Sequence, residues 1–93
     1  MFEPRADQSA HRVTLYTRPG CHLCEAAQQV VERVVGAAYQ AVDIDDEAAD
    51  PALALRYGEE VPVVCVDGRQ IGYWRIEESA LRAALAARAP RPA

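Results

Sequence analysis

The stretch Leu15-Tyr16-Thr17-Arg18-Pro19-Gly20-Cys21-His22-Leu23-Cys24 passes from one backbone regime to another. His11 to Thr17 reads HRVTLYT, a strand carried by Val13, Leu15 and Tyr16. Arg18-Pro19-Gly20 is a turn or loop. From Cys21 to Val35 the apolar residues Leu23, Ala27, Val30, Val31 and Val34 recur at helical spacing. Glu25, Gln28, Gln29, Glu32 and Arg33 take the opposite face. A C-x-x-C pair therefore opens a helix directly after a strand. The first turn of a helix has unpaired N–H groups and the positive end of the macrodipole, which favour a thiolate at Cys21. Cys24, less than one turn further on, lies on the side of Ala27 and Val31. The expectation is an accessible nucleophile at Cys21 and an inward resolving thiol at Cys24, within bonding reach. Two other uses stay open. The pair could be structural, or it could bind metal. Against metal, a structural zinc site usually needs four ligands, and only Cys21, Cys24 and His22 or His11 are on offer.

Working outward, the elements alternate. Gly36 caps the first helix. Tyr39 to Ile44 is a second strand. Asp50 serves as N-cap and Pro51 as first residue of a short helix that runs to Tyr57 and stops at Gly58. Val61 to Val66 (VPVVCV) is a continuous apolar run, as in a strand buried on both faces. Asp67-Gly68 is a two-residue hairpin turn, with Gly supplying a positive φ. Arg69 to Trp74 returns, and Ile76 to Arg88 is a last helix with Ile76, Ala80, Ala84 and Leu85 inward. The order β-α-β-α-β-β-α implies an α/β fold. A parallel pair is joined by a right-handed crossover, the hairpin adds an antiparallel edge, and helices cover both faces of a four-stranded mixed sheet. Residues 1–10 read as a flexible N-terminal arm, 11–89 as a single domain, and 90–93 as a tail.

Composition narrows the function. The 93 residues suit one domain. With 51% hydrophobic and 26% charged residues, the chain lacks the signature of disorder. A net charge of −4 argues against nucleic acid and an anionic membrane surface as partners. No apolar run approaches the roughly 20 residues of a membrane span. The start, MFEPRADQSAHR, offers no apolar signal-peptide region, so a cytoplasmic location is expected. Three cysteines, an odd count, do not look like a secreted disulfide framework.

These features resemble the thioredoxin superfamily, and within it the glutaredoxin-like branch, over Arg12 to Arg88. LYTRPGCHLC is similar to the strand, loop and active-site helix of glutaredoxins. Tyr16 stands where they have a tyrosine, and Arg18 where they have a basic residue. Val61-Pro62 resembles the position at which the superfamily carries a cis-proline facing the cysteines. The resemblance implies a thioredoxin-like fold and a dithiol that reduces disulfides, with no resident cofactor. It implies a substrate surface at Arg18, His22, Val61, Pro62 and Tyr73, with the backbone beside Pro62 pairing with the substrate chain. The implied partners are a disulfide-containing protein or a low-molecular thiol, served by a monomer with a reductase as electron donor.

Four departures matter. The strand carries Leu15 where thioredoxins bury an aspartate. CHLC replaces the usual glutaredoxin C-P-Y-C, and Glu60-Val61-Pro62 replaces Thr-Val-Pro. Gly72-Tyr73-Trp74-Arg75 lacks the second glycine and the aspartate that would meet the amino end of glutathione. Weak glutathione binding is therefore expected. The alternative function is a metal or iron–sulfur module without dithiol turnover, since some glutaredoxins share a cluster between two subunits. A further reading is a non-enzymatic interaction domain. Cys65 is expected to be a small core residue. Tyr73 and Trp74 are read either as an apolar docking rim or as sheet packing. Asp43, Asp45, Asp46, Glu47 and Asp50 are read as a solvated acidic loop.

Overall fold

The computed structural model describes residues 12–87. The expectations for His11, the arm at 1–10 and the tail at 90–93 lie outside those residues. Within them the order is β1 (Val13–Thr17), α1 (His22–Val35), β2 (Tyr39–Asp43), α2 (Pro51–Tyr57), β3 (Val63–Val66), β4 (Arg69–Tyr73) and α3 (Glu78–Ala87). The four strands form one sheet in the order β2-β1-β3-β4. β1 runs parallel to β2, with Val13 opposite Tyr39 and Thr17 opposite Asp43. β3 is antiparallel to β1 and to β4. The expected α/β class and mixed sheet are what the chain adopts.

Strand alternation sends side chains to opposite faces, and the protein has one core on each. Val13, Leu15, Val64 and Val66 point to the face covered by α1 and α3, where they meet Ala27, Val31 and Leu81. Val63 and Cys65 point the other way, to Ile44, Tyr57 and Leu53. β3 is buried throughout because it lies inside the sheet with helices on both sides. The hairpin closes through Asp67 and Gly68, both at positive φ (53° and 82°), the backbone a two-residue turn with the strands' own twist requires. Arg12 staples that hairpin. Its Nη2 and Nε donate to the Asp67 carboxylate at 2.7 and 2.9 Å, and its Nη1 donates to the Leu85 carbonyl at 3.1 Å.

Three boundaries and faces differ from expectation. β3 begins at Val63, not Val61, because Pro62 has no N–H to give a ladder. α3 begins at Glu78, not Ile76, and its fully buried side chain is Leu81. Ile76 still packs on the core from the preceding loop. Leu23, expected on the inner face of α1, is 41% exposed and faces a groove lined by Trp74, Arg75 and Ile76.

Candidate active site

The topology brings one set of termini together. β1 ends where β3 begins, because Tyr16 pairs with Val63 in an antiparallel register. β4 ends there too, with Tyr73 opposite Val63. The start of α1, the Val61-Pro62 segment and the β4–α3 loop therefore share one end of the sheet. Gly20 takes φ 75°, a conformation side chains other than glycine's rarely adopt, and delivers the chain to Cys21.

Cys21 is the N-cap of α1. It has extended backbone, and its Sγ accepts the Cys24 N–H at 3.1 Å. It is partly exposed, while Cys24 is 5% exposed and faces inward. All three cysteines are free thiols. The Cys24 thiol is pushed up to about 11, chiefly by burial and next by its hydrogen bond to the Cys21 sulfur. The Arg18 main-chain N–H and the Arg18 charge pull the other way without prevailing. Cys24 is thus a protonated donor at neutral pH. Its S–H and its N–H are both directed at the Cys21 sulfur. A cleft of about 180 Å³ reaches both sulfurs between Arg18 and Glu25.

Arg18 is not a free cation at the cleft. Its Nε and Nη2 grip the Asp45 carboxylate at 2.9 and 3.1 Å, and its Nη1 donates to the Gly58 carbonyl at 2.7 Å. The guanidinium holds the Asp45 carboxyl below the usual carboxylate range. Arg18 therefore clamps the active-site loop to the β2–α2 loop and the end of α2. Gly58 leaves no room for a Cβ, which would collide with the Ala54 carbonyl. Asp45, expected in a solvated acidic loop, is exposed and also pairs with Arg18. The usable signal was topological, because parallel β1 and β2 must end on the same side and so place their following loops together.

The Val61–Pro62 peptide is cis, as the resemblance implied. Pro62 is fully buried. The Val61 N–H already donates to the Tyr57 carbonyl at 3.0 Å, so it is not available for strand-like pairing. His22 is exposed at the first position of α1. Tyr73 is 46% exposed and meets Trp74 edge-on at 5.2 Å between ring centroids. Trp74 has φ 62° and is 53% exposed. Both rings thus belong to the surface rather than to sheet packing. Cys65 is buried and its thiol is pushed up by burial, beside Tyr57, which stacks on Tyr16 at 4.7 Å. Among the described residues, no group of three or more His, Cys, Asp or Glu side chains is placed to share a metal ion.

With this geometry in place, the kinship is informative. The family described as Glutaredoxin-like domain (DUF836) matches residues 12–86. The chain belongs to this glutaredoxin-like family. The uncharacterized protein Rv0508 of Mycobacterium tuberculosis is 37% identical over 83 residues, spanning 84% of this chain and 86% of that protein. The X-ray structure of target protein XcR50 from X. campestris is 40% identical, covers 84% of this chain and 99% of that one, and superposes with a TM-score of 0.67. Reduced glutaredoxin C1 from Populus tremula x tremuloides is 29% identical, covers 88% of this chain and 76% of its own, and gives a TM-score of 0.58. The glutaredoxin-like domain thus has a thioredoxin-like fold, as the sequence implied. No helix among its described residues is long and apolar enough to cross a membrane.

Proposed function

We propose that this glutaredoxin-like domain is a cytoplasmic, monomeric thiol–disulfide oxidoreductase that works through Cys21 and Cys24. The observation that carries the reading is the asymmetry of the pair. Cys21 stands partly exposed at the cap of α1, while Cys24 is buried behind it as a protonated thiol hydrogen-bonded to the Cys21 sulfur. In the forward step the Cys21 thiolate attacks a substrate disulfide. The substrate S–S bond breaks, a mixed disulfide forms on Cys21, and the first substrate thiol leaves with a proton. Cys24 then loses its proton and attacks Cys21 Sγ, releasing the second thiol and leaving a Cys21–Cys24 disulfide. A reductase or a low-molecular thiol returns two electrons.

The substrate lies across His22, the Val61 carbonyl and Tyr73, over the buried Pro62. Arg18 acts as the clamp that fixes the loop before Cys21, because its donors are engaged by Asp45 and Gly58. Glutathione is a poor donor in this reading. Its site would need cations and an ammonium partner, and Glu59, Glu60 and Arg75 stand where a glutaredoxin offers the opposite or neutral groups. Turnover of hydroxyethyl disulfide with glutathione or a thioredoxin-type reductase as alternative donors tests it. Reduction by wild type but not by Cys21→Ser, faster with the reductase, is expected. Absence of turnover with every donor would overturn the exchange reading. Efficient turnover at low millimolar glutathione alone would overturn the choice of donor.

A further inference from the structure

The first turns of α1 and the β4–α3 loop enclose a groove that the exchange chemistry does not use. It measures about 150 Å³ and runs from Leu23 past Ala26, Ala27 and Val30 on one wall to Trp74, Arg75 and Ile76 on the other. An apolar cavity of about that volume accommodates one benzene ring. Of the large apolar side chains most exposed in the protein, Leu23 and Trp74 both stand on this groove, at 41% and 53%. Leu23 lies between Cys21 and Cys24 in the C-x-x-C motif, so the groove opens from the same turn of α1 that carries the two cysteines.

Trp74 is held there against its own preference. A bulky residue at φ 62° is a genuine outlier, and such backbone persists only where its surroundings fix it. Here the Trp74 N–H donates to the Pro62 carbonyl at 2.9 Å, and the indole Nε1–H donates to the Glu59 carbonyl at 2.8 Å. Both ends of the residue are tied, and the ring forms a fixed wall. Arg75 supplies the second clue. It is exposed at the groove and carries no ion pair among the described residues. A guanidinium in that state stacks well on an aromatic face.

Resting on the proposed exchange function, we infer that the substrate is a polypeptide disulfide with an aromatic residue next to the attacked cysteine. Its ring occupies the Leu23–Trp74 groove and is covered by Arg75. The size of the groove suits one side chain and not a tripeptide.

Single-turnover reduction of disulfide-linked peptide dimers tests this. Reduced protein is in excess, so its own dithiol supplies the two electrons and each dimer yields two peptide thiols. Three peptides differ only beside the cysteine: Phe before it, Phe after it, or Gly on both sides. Hydroxyethyl disulfide is the reference. At least one Phe peptide is expected to react roughly tenfold faster than the Gly peptide, as for an apolar group gaining a pocket. That ratio should fall towards one in Trp74→Ala and in Ala26→Glu, the latter an exposed position on α1 that fills the groove without touching the core. Reduction of hydroxyethyl disulfide with equal rates for all three peptides would overturn the inference and leave the exchange reading standing. A Phe preference that survives both variants would overturn the groove assignment. Reduction of neither class of disulfide would overturn both readings.

Discussion

Cys21 and Cys24 sit on the same turn of helix and are chemically different because of what surrounds each. Burial comes first among the causes that push the Cys24 thiol up to about 11, and the bond to the Cys21 sulfur comes second. A raised value keeps Cys24 protonated across the neutral range and converts it to thiolate only as pH rises towards that value. Cys65 is raised as well, by burial beside Tyr57. Alkylation of the reduced protein at mildly acidic pH, followed by peptide mass spectrometry, should therefore modify Cys21 well before Cys24 or Cys65. Labelling of all three at one rate would contradict the assignment. The outward placement of Cys21 and the inward placement of Cys24 were legible from spacing, because three residues along a helix fix which side chains share a face. The clamp at Arg18 was not. Its partners Asp45 and Gly58 are 27 and 40 residues away in the chain, and an acidic loop read by itself is simply solvated.

At the scale of elements, α1 couples stability to chemistry. The Cys21 sulfur does for this helix what a serine or threonine oxygen does for others, accepting the N–H of the third helical residue. Cys21→Ser keeps a capping acceptor, whereas Cys21→Ala removes it. Urea unfolding of the two reduced variants should place Cys21→Ala about 1 kcal/mol below Cys21→Ser. Equal midpoints would show that the cap contributes nothing. The order of elements was readable because strand and helix periods differ, and Asp50-Pro51 and Asp67-Gly68 mark their boundaries. The ends were less readable. β3 starts late because proline interrupts the ladder, and Trp74 leaves β4 in a backbone region that propensity alone never assigns to tryptophan. Its tie to the Pro62 and Glu59 carbonyls is a tertiary effect, invisible in a local window.

Across the whole molecule, arginine–carboxylate pairs at Arg12, Arg18 and Arg33 join elements distant in sequence, and Arg82 pairs with Glu78 within α3. Asp67 beside Arg12, Asp45 beside Arg18, and Glu78 beside Arg82 and Arg33 are all held below their ordinary values of 3.8 for aspartate and 4.5 for glutamate. A depressed folded-state value means stability that is present above the unfolded value and lost as pH falls through the folded one. Melting temperature should thus decline on acidification from about pH 5 towards about pH 2. The loss should be modest because the pairs are only partly buried and remain in contact with solvent, and Asp67→Asn should make it shallower. A flat profile over that range would remove these pairs from the account of the fold. The proposed function of the molecule as a whole requires Cys21 to act first and Cys24 second. The most direct measurement is the intact mass of Cys24→Ser after exposure to a small disulfide, with the adduct mapped by proteolysis. The expected result is one stable mixed disulfide per molecule, located on Cys21, under conditions where wild type retains no adduct and forms the Cys21–Cys24 bond instead. No adduct, or an adduct on Cys65, would contradict it.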